Sequence, residues 1–167
     1  MRALKEFLKA EGSRQREQTR ASLEEVNAWQ RSISRLNHWA KDRLEEADED
    51  KCLRIEFRTD ELREEGLGRY PVVRMIVQFF VREVEFIPIS LRIAGRFESP
   101  NAPASTASGR VDLTNGIQKV SLYRFIVDQD DLEFGKDRWM FLDGFRDRPM
   151  IPLDRSSLDK TIELLLR

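Results

Sequence analysis

Residues 44–58, LEEADEDKCLRIEFR, contain the point at which the hydrophobic pattern of this chain changes its period. Before this point apolar side chains recur every three or four residues, which is the spacing of one face of an α-helix. Beyond it Leu53, Ile55 and Phe57 alternate with charged residues, which is the spacing of a half-buried strand. We expect the helix to end at the acidic run 48–50, because carboxylates are unfavourable at the negative end of a helix dipole.

A long amphipathic helix is predicted upstream of this point, over residues 22–47. Ser22 and Glu25 have the spacing of a capping box, in which each side chain binds the backbone amide of the other residue. The apolar stripe that follows recurs in alternating steps of three and four residues and comprises Val26, Trp29, Ile33, Leu36 and Ala40. Leu23 and Trp39 lie on the flanks of this stripe, where side chains either face outward and form a second contact surface or belong to a wide stripe that the core uses in full.

The segment 1–21 is predicted to be a helical and polar arm, separate from a single α+β domain over residues 22–167. Apolar residues fall on one face of a short amphipathic helix that starts the arm. Together with the flanking residues of the long helix they form our candidate interaction surface, because large apolar side chains and tryptophan are enriched at interfaces. This surface comprises Leu4, Phe7, Leu8, Leu23 and Trp39.

Gly12 and Ser13 weaken the helical pattern inside the arm. We therefore expect the first helix to stop near residue 11 and the long helix to begin at residue 22. The alternative is one helix that runs unbroken from Ser13 and is about 52 Å long. A compact domain of this size is only about 40 Å across, so the end of such a helix would project beyond the domain and need a partner surface.

The rest of the chain is predicted to be mainly β-structure. The apolar run 72–81 is favoured as a strand because it is rich in β-branched and aromatic residues, and a buried helix is the alternative. Pro88, in the strand after it, requires an edge position or a β-bulge. Asn115-Gly116 predicts a two-residue hairpin turn, and a polar loop is expected over residues 59–69.

A short C-terminal helix is predicted to run from a capping box at Ser156 and Asp159 to Leu166. The element order is then helix, helix, five or six strands, helix. Strands that are segregated from helices indicate the α+β class. We therefore expect a long N-terminal amphipathic helix packed on an antiparallel β-sheet of about five or six strands, with a short C-terminal helix.

The composition excludes several classes of protein. The 167 residues fit one domain, and 29 basic against 30 acidic side chains give a net charge of −1, so we expect neither nucleic acid nor a membrane as a partner. The most apolar stretch, 72–93, is interrupted by charged residues and is not a membrane span. The single cysteine, Cys52, cannot form an intramolecular disulfide, and the first ten residues lack a signal-peptide core, so a cytoplasmic location is expected.

No catalytic or cofactor motif occurs in the sequence. The nucleophile elbow G-x-S-x-G, the P-loop and the dinucleotide fingerprint are all missing. One cysteine and one histidine, His38, cannot build the usual zinc site. His38 is interpreted as a surface histidine rather than a general base, because no set of catalytic partners for it can be assembled from the sequence. We therefore expect no cofactor and favour a non-enzymatic protein.

An acidic loop between two predicted strands is a candidate site for Ca²⁺ or Mg²⁺, which prefer carboxylate oxygens. Its residues are Asp128, Asp130, Asp131 and Glu133. The spacing does not match an EF-hand loop, and acidic residues are common in turns for conformational reasons. A solvated turn is therefore the favoured interpretation of this loop.

Three arginines near the segment FRDRP, residues 145–149, are a candidate anion-binding group: Arg138, Arg146 and Arg148. Arginine binds carboxylates and phosphates through paired hydrogen bonds. Aspartates in the same segment nearly balance the positive charge, so we favour local ion pairs over a ligand site.

The leading functional hypothesis is a non-enzymatic protein-interaction or adaptor domain, which binds a protein partner or a second copy of itself through its N-terminal helices. The alternative is a small-ligand-binding or enzymatic domain with a pocket between the sheet and the long helix. A hollow sheet face lined by polar groups would favour the alternative, and a sheet packed solidly against the helix would oppose it.

Overall fold

A computed structural model describes residues 2–93, 107–142 and 150–167 of the protein. Its elements are α1 (Arg2–Ala47), β1 (Leu53–Glu64), β2 (Gly68–Phe79), β3 (Arg82–Ser90), β4 (Arg110–Thr114), β5 (Lys119–Asp131), β6 (Gly135–Leu142), β7 (Ile151–Pro152) and α2 (Arg155–Leu166). Within these ranges the strands form one antiparallel sheet whose spatial order is the chain order. The predicted α+β class is confirmed, and the sheet has seven strands rather than five or six.

α1 is one continuous helix of 46 residues, which corresponds to a length of about 69 Å. The predicted break near residue 11 and the predicted start at residue 22 are both wrong, because the helix runs through Gly12 and Ser13. A glycine costs only about 1 kcal/mol in a helix interior, and the Arg, Glu, Gln and Ala residues around it are strong helix formers. The unbroken alternative is the observed one, and it starts even earlier than Ser13.

The capping box predicted at Ser22 does not form, because Ser22 lies inside the helix and no amide there is left without a helical partner. Glu25 instead forms an ion pair with Arg92, at 3.3 Å. The helix ends at Ala47, before the acidic run, as expected. There the carboxylate of Asp48 accepts hydrogen bonds from the backbone amides of Cys52 and Leu53, at 2.8 and 2.7 Å, and so turns the chain into β1.

The apolar run 72–81 lies mostly in strand β2, so its prediction as a strand is confirmed. β2 pairs with β1 along its whole length, from Leu53 opposite Phe79 to the turn at Gly66, whose φ of +76° favours glycine. The loop expected over residues 59–69 is wrong, because all but three of these residues continue the two strands.

The distal half of the β1–β2 hairpin is a free two-stranded ribbon, since β3 pairs only with residues 75–79 of β2. Tyr70 and Val72 have even positions in the strand and Met75 and Val77 have odd positions, yet all four are buried in the same core. Two-stranded ribbons twist more strongly than wide sheets. The ribbon therefore turns its other face toward the core, and its tip lies beside α1.

Two turn predictions in the middle of the sheet are confirmed. Pro88 lies where the register between β3 and β4 shifts, which is the expected bulge. Asn115-Gly116 lies in the turn between β4 and β5, although the loop has four residues rather than two. The side-chain oxygen of Asn115 accepts hydrogen bonds from the amides of Ile117 and Gln118, at 2.9 and 2.7 Å, and fixes this turn.

α2 is capped by Asp154 rather than by Ser156. Asp154 accepts a hydrogen bond from the Ser157 amide at 2.8 Å, and the Ser157 hydroxyl accepts one from the Asp154 amide at 2.9 Å. The capping box predicted at Ser156 and Asp159 is therefore wrong by two residues, whereas the helix end at Leu166 is as predicted. The short strand β7, just before the cap, was not predicted.

The main core lies between one face of the sheet, α1 and α2. Its completely buried side chains include Trp29, Leu36, Met75, Val84, Leu113 and Leu122. Gly109 lets the Trp29 ring lie against the backbone, since a Cβ atom at this position would be 2.3 Å from the ring. A smaller cluster that includes Tyr123 and Phe125 occupies the other face. Within the described ranges, neither helix combines the length and the apolar character that crossing a bilayer requires.

Candidate interaction surface

The first part of α1 extends beyond the sheet. Every residue from Ala3 to Ala10 is exposed, so among the described residues no other element covers this part of the helix over more than two turns. Leu4, Phe7 and Leu8 are 62%, 61% and 59% exposed. Single exposed apolar side chains are normal, but these three lie within about one helical turn and form one contiguous patch. We call these three residues the tip patch.

The tip patch continues the helix face that packs on the sheet. Leu4 lies 25 residues before Trp29, and Leu8 lies 25 residues before Ile33, which is about seven helical turns. Trp29 and Ile33 are buried. One apolar stripe is therefore covered by the sheet in the second half of α1 and uncovered at the start of the helix.

A cleft of about 530 Å³ lies where the covered and uncovered parts of α1 meet. One wall is α1 between Gln15 and Val26, and the other wall is the tip of the β1–β2 hairpin. We call it the arm cleft; its lining residues are Gln15, Gln18, Thr19, Ser22, Leu23, Val26, Gly66, Leu67, Arg69 and Tyr70. The arm cleft thus combines leucine and valine side chains with amide and hydroxyl groups, which suits an amphipathic partner segment.

Glu64 holds the hairpin wall of the arm cleft in place. Its carboxylate accepts hydrogen bonds from the backbone amides of Leu91 and Arg92, at 2.8 and 3.1 Å, and from the Tyr70 hydroxyl. Burial, and then the hydrogen bond to the Glu64 carboxylate, raise the pKa of the Tyr70 hydroxyl above its ordinary value. The Tyr70 hydroxyl donates to the Glu64 carboxylate, and the hydrogen bonds of Glu64 with Leu91 and Arg92 tie the hairpin to the end of β3.

The arm is basic, and the residues that flank the arm cleft are mainly acidic, although the cleft lining itself carries only one charged residue, Arg69. Residues 2–21 contain six basic and three acidic side chains, although the whole chain has a net charge of −1. Around the cleft, residues 22–26 and 60–69 contain six carboxylates and two arginines. Three of these carboxylates form ion pairs, Glu25 with Arg92 at 3.3 Å, Asp60 with Arg74 at 3.1 Å and Glu61 with Arg69 at 3.6 Å, and the region still has more acidic than basic side chains.

The structure separates the five predicted interaction residues into four exposed ones and one buried one. Leu23 is 60% exposed and lines the arm cleft. Trp39 is 8% exposed and packs edge-on against Phe134, with 5.1 Å between the ring centroids. The interpretation of Trp39 as an outward-facing residue is therefore wrong, because the turn between β5 and β6 places Phe134 over the flank of the helix stripe.

Sequence reasoning missed the hairpin wall of the arm cleft. Leu62 pairs with Tyr70 across the strands, and both lie four residues from Gly66. Apolar residues placed evenly about a glycine are a signal for a hairpin. Glu64 and Glu65, beside that glycine, obscured the signal and favoured a polar loop.

The acidic loop predicted from residue 128 is wrong in its extent, because Asp128, Asp130 and Asp131 are exposed residues of β5 and only Glu133 lies in the turn before β6. The Asp131 carboxylate accepts hydrogen bonds from the amides of Glu133 and Phe134, at 2.7 and 3.2 Å. Glu133 approaches Arg43 of α1 at 3.7 Å. In the part of the chain that the structure describes, no three His, Cys, Asp or Glu side chains come together in a way that could hold a metal ion.

The arginine group can be judged only in part, because Arg146 and Arg148 lie outside the described residues. Arg138 is exposed on β6 and borders a cleft of about 610 Å³. This cleft is lined by two arginines and four carboxylates, namely Arg138, Arg155, Asp131, Glu133, Asp137 and Asp154. An excess of carboxylates repels anions, so the surroundings of Arg138 oppose an anion site.

A buried charged cluster, which the sequence did not reveal, links α1 to the sheet. Asp137 accepts hydrogen bonds from Arg124 at 2.9 Å and from the Ser32 hydroxyl at 2.5 Å. Arg124 also donates to the Ser108 carbonyl at 2.9 Å and lies 5.7 Å from the centre of the Trp29 ring. These contacts pair both ions inside the core, so we assign the cluster a structural role.

His38 stands apart from this cluster, on the exposed side of α1. Its Nδ1 atom donates to the Ser34 carbonyl at 2.7 Å, and its ring stacks on Phe57 with 5.5 Å between centroids. These contacts hold the ring against the surface and bring no carboxylate to it.

Comparisons of the chain with family models, with curated proteins and with solved structures found no match.

Proposed function

We propose that this protein is a non-enzymatic interaction domain that associates with a second copy of itself through the arm, residues 2–21 of α1. The observation that carries the proposal is the tip patch, an apolar stripe that is buried further along the same helix and uncovered here. Burying apolar surface stabilises association by roughly 25 cal/mol per Å² before the costs of association are subtracted. A second copy supplies a matching helix without any further partner.

The isolated arm has little other support. Helices gain most of their stability in water from packing of an apolar face rather than from intrinsic propensity. From Ala3 to Ala10 no residue is buried. A partner that covers the tip patch would supply the packing that the first turns lack, and this favours a binding role over a purely structural one.

Where α1 crosses the central strands, beyond the arm cleft, there is little room for the pocket that the alternative function requires. The space where α1 crosses the sheet is filled by completely buried side chains, among them Trp29, Leu36 and Leu122. Two buried ions in this region, Arg124 and Asp137, bind each other. Dense apolar packing with paired ions is typical of a structural core rather than a ligand site.

Light scattering after size-exclusion chromatography tests the proposal on the full chain. We expect the wild-type protein to elute as a dimer, and Phe7→Glu combined with Leu8→Glu to elute as a monomer, since each carboxylate would have to be desolvated in the interface. The matched control is Leu132→Glu, which changes a fully exposed leucine in the turn between β5 and β6.

The control variant should remain dimeric, and circular dichroism should show the same folded sheet in all three proteins. A wild-type protein that is monomeric at every concentration at which it is soluble contradicts self-association. A dimer that persists when both tip residues carry charge places the interface elsewhere and contradicts the role of the arm.

A further inference from the structure

We infer that two copies join with antiparallel arms crossing at Gln15, so that the tip patch of each copy enters the arm cleft of the other. This inference rests on the proposed self-association and adds its geometry. Both copies would contribute to each site, because the arm cleft of one copy is completed by the helix tip of the second. The resulting interface is isologous, with the same contact made twice about a two-fold axis.

The spacing of apolar residues along α1 supports this crossing point. In an antiparallel pair that crosses at Gln15, a residue n positions before Gln15 lies near the residue n positions after it. Phe7 therefore meets Leu23, and Leu4 meets Val26. Leu23 and Val26 both line the arm cleft. The polar residues between these contacts, including Gln15 itself, lie near the axis, where amide side chains can bond to their own copies.

The chemistry of the two surfaces is complementary. The arm has a net charge of +3, from six basic and three acidic side chains, and the cleft region has six carboxylates and two arginines. In the antiparallel arrangement the basic tip, with Lys5 and Lys9, approaches the acidic hairpin of the second copy. Complementary charge of this kind accelerates association.

The available area also suits a dimer. Four large apolar side chains, the tip patch and Leu23, are each about 60% exposed. Counted over both copies, they and the polar residues between them supply an interface on the order of 1,000 Å², which is near the lower bound for a specific association. The cleft volume of about 530 Å³ can accommodate the phenylalanine and leucine side chains of one tip patch.

Disulfide trapping of the full chain tests the crossing point. In a Cys52→Ser background, Gln15→Cys should form a disulfide-linked dimer rapidly under mild oxidation. Helices that pack about 8–10 Å apart bring directly facing Cα atoms to about 3.4–5.4 Å, which overlaps the range of Cα distances in disulfides. The matched control is Ser13→Cys in the same background, because Ser13 lies on the opposite side of α1.

We expect at least a tenfold faster disulfide formation at position 15 than at position 13. A mixture of Phe7→Cys and Leu23→Cys proteins should likewise yield mixed dimers in preference to like pairs. Equal rates at positions 13 and 15 in a protein that light scattering shows to be dimeric through its arm overturn the crossing geometry but leave the proposed function standing. A monomeric protein whose arm binds anionic phospholipid vesicles would show that the occupant of the tip patch is a lipid surface, and it overturns both.

Discussion

Asp137 shows at the scale of one residue how the core depends on a contact that sequence periodicity does not reveal. It is 7% exposed and Arg124 is 3% exposed, so each ion relies on the other for its charge balance. We predict that Asp137→Ala lowers the free energy of unfolding by about 3–5 kcal/mol, because it leaves a buried guanidinium without a carboxylate. Denaturation in urea at neutral pH measures the loss.

The matched control for this prediction is Glu61→Ala, which removes the exposed ion pair with Arg69. An exposed pair contributes at most about 1 kcal/mol, so this change should lower the free energy of unfolding only slightly. Similar losses in the two variants would contradict a special role for the buried pair. The pair could not be predicted from sequence, because Arg124 and Asp137 meet only once the register of β5 and β6 is set.

Tyr70 provides a second prediction at this scale, through the pH dependence of stability. Burial and Glu64 raise its pKa in the folded protein above the ordinary 10.0. Above about pH 10 the unfolded chain therefore releases a proton that the folded protein still holds, so the stabilising contribution of Tyr70 is present below this pH and is lost as pH rises. We predict that the stability difference between wild type and Tyr70→Phe shrinks between about pH 9 and about pH 11.

Urea denaturation of both proteins at matched pH values measures this difference, and the other titrating groups cancel in the comparison. A difference that stays constant up to about pH 11 would show that the pKa of Tyr70 is not raised. Such a result would also weaken the view that the Glu64–Tyr70 contact fixes the hairpin wall of the arm cleft.

At the scale of elements, the N-cap of α2 is a different residue from the one that the sequence pattern indicated. Asp154 lies before the helix and accepts from Ser157, whereas Ser156 lies inside the first turn. We predict that Asp154→Ala lowers stability by about 1 kcal/mol, and that Ser156→Ala changes it by less than about 0.5 kcal/mol. Thermal or urea unfolding of the two variants distinguishes them, and the reverse order would restore the cap that the sequence predicted.

The elements with strong hydrophobic periodicity could be predicted from the sequence, whereas the residues at which some of them begin or end could not. The strand at 72–81, the helix end before Asp48 and the bulge at Pro88 follow from local chemistry. The start of α1 does not, because Ser22 and Glu25 satisfy a capping pattern that a continuous helix makes unnecessary. Similarly, the tip of the β1–β2 hairpin depends on long-range contacts of Glu64 with the end of β3.

For the whole molecule, the sequence predicted the class and the exposed apolar end but not the cleft beside it. The class follows from the order of helices and strands. The tip patch was predicted from Leu4, Phe7 and Leu8 in one helical turn, and all three are exposed. The arm cleft needed the ribbon twist that carries Leu67 and Tyr70 to α1, and twist is a property of the assembled strands rather than of any one segment.

Hydrogen exchange tests the arm and the body of the molecule in one measurement. Amides between residues 29 and 44 should be protected at every protein concentration, because this part of α1 is packed on the sheet. Amides between residues 5 and 20 should exchange rapidly in dilute protein and become at least tenfold slower at concentrations where light scattering shows a dimer. In the Phe7→Glu, Leu8→Glu variant they should stay rapid throughout. Protection of the arm that does not vary with concentration would mean that the arm is stable on its own. The argument that the arm needs a second copy to supply its packing would then be contradicted.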